Sequence, residues 1–183
     1  MIPPEAKKVF SGKVFEVWQW QQQMFDGTTS LFEKLRRPST CCTLAVVGDK
    51  ILVLKQEQPG IPPFISLPGG RLDGEETTLQ AAKRELFEET GYVSDDWQLW
   101  LQVEPEVKID WTIFTYIARN CEIQAQNHVD NGEKITPELL SFEQFLLLAD
   151  NPLFRNTDVV MELLRVRLDS DRKARLYQLL FKA

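Results

Sequence analysis

Apolar and polar positions alternate through the first third of the chain, and helical spacing begins only near Thr77. "KVFEVWQWQQQMF", from Lys13 to Phe25, is rich in β-branched and aromatic residues with partial alternation, the pattern of a half-buried strand. Asp26-Gly27 follows, and then "TTSLFEKLRRP". The segment predicts an antiparallel β-hairpin whose Asp-Gly pair takes the positive φ angles of a tight primed turn. "CCTLAVVG" and "KILVLKQEQ" flank Gly48–Lys50 and predict a second hairpin. "PGIPPFISLPGG" is dense in Pro and Gly and is expected to be a loop or a strand edge.

From Thr77 the period changes. Leu79, Ala82 and Leu86 fall at i, i+3 and i+7 and make one apolar stripe of a helix, which Gly91 ends as a C-terminal glycine cap. "DDWQLWLQVEPEV" and "DWTIFTYIARNCEIQ" read as strands, and "NHVDNGEKITPE" as a polar loop. "SFEQFLLLAD" predicts a short helix with Ser141 as its N-cap. "TDVVMELLRVRL" and "RKARLYQLLFKA" carry helical spacing that suits cover for a core. Mixed strands with few helices predict an α/β (α+β) sandwich, helices packed on a sheet.

A length of 183 residues fits one domain, with 43% hydrophobic residues to build a core and 26% charged residues to keep it in water. The net charge of -6 argues against a protein that grips nucleic acid by its phosphates. A small anionic ligand remains compatible, because bound cations reverse the local field. The start "MIPPEAKKVF" lacks the apolar run of a secretory signal, and no segment approaches about 20 apolar residues. Cys41, Cys42 and Cys121 show no zinc-type spacing, and the adjacent pair suits a buried strand. A cytoplasmic, reducing setting away from membranes is expected.

The densest chemistry lies in "GRLDGEETTLQAAKRELFEETGY", Gly70 to Tyr92. Asp73, Glu75 and Glu76 precede the helix, where negative charge suits the dipole. Glu85, Glu88 and Glu89 stand at i, i+3 and i+4 near its other end. Such spacing puts three carboxylates on one face, about 5–6 Å apart, and the dipole there disfavours them. Arg84 can pair with Glu88 but cannot neutralise all three. Two readings fit: a solvated acidic face beside Lys83 and Arg84, or oxygen ligands for Mg²⁺ or Mn²⁺. The glycine-rich "SLPGGRLDGEE" upstream suits backbone approach to a phosphate, which is the layout for metal-assisted attack on a phosphoanhydride.

Gly70, Glu76 and Arg84-Glu85-Leu86-Phe87-Glu88-Glu89-Thr90-Gly91-Tyr92 resemble the signature box of the Nudix hydrolases. Every fixed residue stands at the family's spacing, and only Tyr92 departs, where the pattern has an aliphatic residue. The resemblance implies a Nudix fold, a mixed sheet between helices, and Mg²⁺- or Mn²⁺-dependent hydrolysis of a nucleoside diphosphate linked to a second moiety. It implies Glu85, Glu88 and Glu89 as metal ligands, with Glu89 bridging or assisting the water and Glu85 sharing the catalytic role. The Gly70 carbonyl would reach a metal, Arg84 would orient the glutamates, and Glu76 would support the loop.

The flanks resemble the ADP-ribose pyrophosphatase and nucleoside-diphosphate-sugar hydrolase branch, in the N-terminal hairpin and in "GEKITPELLSFEQFL". That resemblance implies residues 1–38 as a hairpin region shared across a homodimer and 39–183 as the hydrolase domain. It implies Trp18, Trp20 and Phe25 as base contacts, although strand or dimer packing explains each equally. Arg36, Arg37 and Arg71 become substrate contacts, and Pro105 adds weak support for ADP-ribose. Glu133 becomes the general base, with Asp130 as the alternative and His128 as a bystander. ADP-ribose or a nucleotide sugar is the expected substrate. Nucleoside triphosphates, dinucleoside polyphosphates and NADH form the alternative, and a non-catalytic nucleotide-sensing module is the rival from another class.

Overall fold

A computed structural model describes residues 1–125 and 134–181. The chain opens with β1 (Lys7–Ser11), β2 (Glu16–Gln23) and β3 (Thr29–Arg36), followed by β4 (Thr40–Val47) and β5 (Lys50–Gln58). Next come β6 (Ile61–Ser66), β7 (Gly69–Arg71) and α1 (Thr78–Thr90). Strands β8 (Tyr92–Val93), β9 (Asp96–Val103), β10 (Ile109–Asp110), β11 (Ile113–Arg119), β12 (Glu122–Ile123) and β13 (Lys134–Leu140) precede α2 (Phe142–Leu147), α3 (Thr157–Leu168) and α4 (Ser170–Leu180).

Strands β2 and β3 form the expected hairpin, paired antiparallel from Glu16↔Arg36 to Gln23↔Thr29. Its turn is not the primed two-residue type. Met24 N–H still donates to Thr28 O at 2.8 Å, which leaves Phe25, Asp26 and Gly27 to reverse the chain. Only Gly27 takes a positive φ, at +84°. Asp26 instead uses its carboxylate to accept from Thr28 N–H at 2.9 Å and the Thr28 hydroxyl at 2.7 Å, a local bond that favours a turn with glycine alone in the left-handed region. Strand β1, which the alternation did not announce, pairs with β2, and β10 runs parallel to β3.

The main sheet has the order β13-β5-β4-β11-β9, parallel only between β4 and β11. Alternate residues of its central strands serve two cores, as the period of two requires. Leu44, Val46, Ile51, Val53 and Ile117 meet α2, α3 and α4 through Phe145, Val159, Leu163, Leu176 and Leu180. Ala45, Leu52, Leu54 and Ala118 meet Leu86 of α1, and Tyr116 meets its Ala81 and Ala82. The fold is therefore the mixed α/β sandwich, with helices on both faces of one sheet. Each fully buried leucine contributes about 1.5–3 kcal/mol relative to exposure.

The central hairpin also opens. Strands β4 and β5 pair only from Val47↔Lys50 to Ala45↔Leu52. Beyond that they part, and the chain from Ile61 to Arg71 fills the gap, with β6 on β5 and β7 on β4. The Pro- and Gly-rich stretch is thus a strand edge. The expected polar loop is corrected at its end: "KITPE" belongs to β13 and pairs with β5. Pro137 is tolerated there because β13 is an edge strand. All three cysteines are free, and no described helix is long and apolar enough to cross a membrane.

Candidate active site

Helix α1 begins where its sequence carries a capping box. The Thr77 hydroxyl accepts from Gln80 N–H and the Gln80 side chain accepts from Thr77 N–H, satisfying two otherwise orphaned donors. It ends at Gly91, whose φ of +73° lets the cap N–H return to Phe87 O. Between these ends Arg84 is a hub. Its Nε and Nη2 grip both Glu76 oxygens at 3.2 and 2.8 Å, while Nη1 reaches Glu85 at 2.9 Å and Glu88 at 3.0 Å. Nη2 also donates to Arg71 O at 3.1 Å, so one guanidinium ties the helix to the loop before it. The fork on Glu76 is the strong, bidentate kind. It holds the Glu76 carboxyl below its usual range, helped by Asp73 N–H.

Gly69 is required by contact, because a Cβ there would overlap Cys41 O on β4, whereas a Cβ on Gly70 would push the Glu85 carboxylate from its place. Gly69 N–H instead donates to Glu89 at 2.8 Å. Glu85 is partly buried, and that burial raises its carboxyl pKa against the opposing pull of Arg84. Glu85, Glu88 and Glu89 thus share one face with the Gly69-Gly70 backbone at its edge. The donor set is oxygen only, which fits a hard divalent cation rather than zinc or copper. The carboxylates are spread over Arg84 and Gly69. Among the described residues no three acidic, histidine or cysteine side chains are gathered closely enough to hold an ion.

This face lines a cavity of about 700 Å³ in the opening between β4 and β5. Of the residues singled out by sequence, Arg37, Gly70, Arg71, Arg84, Glu85, Glu88 and Glu89 all line it. The Arg37 guanidinium lies over Trp111, 4.4 Å from the ring centroid. Its Nε is buried without a hydrogen-bond partner among the described residues. Burial, and then the neighbouring Arg71, lower the Arg37 pKa. Among the described residues no carboxylate pairs with Arg37 or Arg71, and two such cations with an orphaned donor favour an anion beside them.

Trp18, Trp20, Phe25 and Arg36 do not line the cavity. Trp18 donates its indole N–H to Glu16 at 2.9 Å and lies under Arg36, which pairs with Asp110 at 3.0 Å. Trp20 donates to Gln22 at 2.9 Å, and Phe25 is fully exposed at the turn. Glu133, Asp130 and His128 lie outside the described residues. The cavity adds residues that the motif does not contain, among them Gln56, Phe64, Arg155 and Asn156. No local pattern marks them. Arg155 arrives because its N–H donates to Ile65 O at 3.0 Å, across ninety positions of sequence.

Comparison with known proteins agrees with this geometry. The chain is 33% identical over 90 residues to the ADP-ribose pyrophosphatase of Bacillus subtilis (strain 168), covering 48% of this chain and 49% of that protein. It is 27% identical over 119 residues to the methanol dehydrogenase activator of Bacillus methanolicus, covering 63% and 64%. The matches thus span between about half and two thirds of these curated relatives. A crystal structure of an ADP compounds hydrolase superposes with a TM-score of 0.74 at 18% identity, over 90% of each chain, and so shares the fold. The NUDIX domain family matches residues 35–159, most of the chain and all of the box. With that match, an intact box and the family's fold around it, the chain belongs to the Nudix hydrolase family.

Proposed function

We propose that this chain hydrolyses the pyrophosphate linkage of a nucleoside diphosphate derivative, ADP-ribose or a nucleotide sugar, to a nucleoside monophosphate and a sugar phosphate. One observation carries the reading: a single cavity has the glutamate face of α1 and the Gly69-Gly70 backbone beside Arg37 and Arg71. The named activity of the Bacillus subtilis relative supports it.

Glu85, Glu88, Glu89 and the Gly70 carbonyl would hold Mg²⁺ or Mn²⁺. When bound, such a cation neutralises charge on phosphoryl oxygens and activates water. Arg37 and Arg71 bind the diphosphate, and the orphaned Arg37 Nε gains its acceptor. Arg84 is a positioning residue, because its bonds go to Glu76, Glu85, Glu88 and Arg71 O rather than to open space. Glu133 is the proposed general base, taking the proton of the attacking water. Trp18 and Trp20 are proposed to contribute across a homodimer, where β1–β3 of one copy would approach the cavity of the other.

Glu89→Gln is expected to cut Mg²⁺-dependent release of AMP from ADP-ribose by more than about 100-fold, beyond what loss of an outer contact costs, with the fold intact by circular dichroism. Wild-type turnover on ADP-ribose and on a panel of nucleotide sugars would remove Glu89 from the chemistry. For Glu133→Gln the readout is the kcat profile against pH, and an unchanged profile assigns the base to another group.

A further inference from the structure

We propose that Arg155, stacked on Phe64, is a further anion contact of the cavity and grips a phosphoryl group of the substrate from the β6 side. The assignment rests on the pyrophosphate reading above and adds a residue outside the Nudix box.

The backbone beneath Arg155 is fixed on both sides. Ile65 N–H donates to Leu153 O at 2.8 Å, and Arg155 N–H returns to Ile65 O at 3.0 Å, so the segment lies along β6 like an added strand. Phe154 is buried beside it. Asn156 accepts from Leu67 N–H at 2.8 Å and donates to Cys42 Sγ at 3.3 Å. This much anchoring brings an exposed arginine to a cavity wall and holds it there.

The guanidinium lies 4.2 Å from the centroid of the Phe64 ring. A cation over a ring is held by the ring's quadrupole and not by a hydrogen bond, which leaves the guanidinium N–H groups available to a planar or tetrahedral oxyanion. Among the described residues no carboxylate stands within ion-pair distance of Arg155, whereas Arg84 has four such neighbours: Asp73, Glu76, Glu85 and Glu88. Arg84 is consumed by the protein, and Arg155 is not.

Its place along the chain gives the direction. Ile65, which holds Arg155, and Arg71 lie on either side of Gly69 and Gly70, the residues that meet Glu89 and Glu85. Arg155 and Arg71 are thus anchored on either side of those glycines along the chain and line the same cavity as the acidic face. Four arginines and four carboxylates line the cavity, so its formal charge is balanced. A diphosphate diester adds two negative charges and one divalent cation adds two positive ones, which keeps that balance. Without Arg155 the loaded cavity would carry an uncompensated negative charge.

The test measures binding of inorganic pyrophosphate with Mg²⁺ by calorimetry, beside steady-state kinetics on ADP-ribose. Arg155→Gln is expected to weaken pyrophosphate binding by about 10- to 100-fold, the worth of a charge-assisted hydrogen bond, without moving Tm. On ADP-ribose KM should rise by a similar factor while kcat stays within a few-fold. Arg155→Lys, which keeps the charge but not the planar stack, should recover part of the affinity, and Phe64→Leu should lose less than Arg155→Gln. Unchanged pyrophosphate affinity in Arg155→Gln overturns the assignment, and so does a wild-type protein that binds no pyrophosphate. If the wild-type protein binds pyrophosphate through Arg155 yet leaves ADP-ribose intact, the hydrolytic reading falls and the anion contact stands.

Discussion

Strands β3 and β4 follow one another in the chain and have opposite surroundings. β4, "TCCTLAVV", lies inside the main sheet with helices over both faces, and Leu44 is wholly buried. β3, "TSLFEKLR", lies in the N-terminal sheet, and its Leu31 is 61% exposed. No residue before Cys41 belongs to any of the three buried apolar clusters, although β1, β2 and β3 carry Val9, Phe10, Trp18, Trp20 and Leu31. Each strand is paired along most of its length to one neighbour, β3 to β2 and β4 to β11, although on its other side β3 meets β10 over only two residues. The difference is the layer above the sheet: a strand becomes core only when a second layer covers it.

The largest effect that tests this contrast is Leu44→Ala. Deleting a fully buried leucine leaves a cavity that the sandwich closes only partly, at a cost of about 2–5 kcal/mol in denaturant unfolding. A loss below about 1 kcal/mol would mean that the main sheet relaxes as freely as the N-terminal one.

A second, smaller contrast compares two glutamates, one in each region. Glu76 is held below its usual range first by Arg84, and Glu16 first by Lys8. Both folded-state values lie below the ordinary 4.5. Each contact therefore stabilises the fold above that pH, and the contribution is lost as pH falls through the depressed value. The Glu76 fork is bidentate from one guanidinium and its side chain is 17% exposed, whereas Glu16 meets a single lysine nitrogen and the neutral Trp18 indole N–H and is 28% exposed. Glu76→Gln is expected to remove roughly 0.5–1 kcal/mol of stability at pH 7 and little at pH 3, with Glu16→Gln nearer the lower bound. Equal pH dependence of Tm in the two variants would show that the Arg84 hub adds no more than a surface pair.

What was legible in the sequence follows the same division. The box could be read because a helix converts spacing directly into a shared face, and Glu85, Glu88 and Glu89 needed no distant partner to line up. The helix caps Thr77, Gly91 and Ser141 act within one turn and were equally open to inspection, although Thr77 stood out only as the place where the period changes. β1 and β13 were not legible as strands, because their hydrogen bonds come from β2 and β5 and their own residues are polar or interrupted by Pro137. The turn at Asp26-Gly27 differed for a local reason, the Asp26 carboxylate capturing Thr28. Arg155 and Phe64 meet only because β4 and β5 part and the Ile61–Arg71 segment enters the gap. That is a property of sheet topology, which no window of sequence contains.

The smallest expected effect on stability is the most informative about the N-terminal sheet. Leu31 stands exposed on β3, in the same sheet as the exposed Phe10 and Val9 of β1, and no described residue buries it. In an isolated chain Leu31→Asp should change unfolding free energy by less than about 0.5 kcal/mol, as surface substitutions do. If a second copy supplies the missing layer, as proposed above, the same substitution places a charge in a hydrophobic interface. Wild-type mass by light scattering should then be that of a dimer, and Leu31→Asp should shift it toward the monomer while the monomer's own stability is unaffected. A dimer that ignores Leu31→Asp would place the contact elsewhere. A wild-type monomer would leave β1–β3 as a sheet whose second face belongs to water, and the contrast with β4 would then reflect solvation alone.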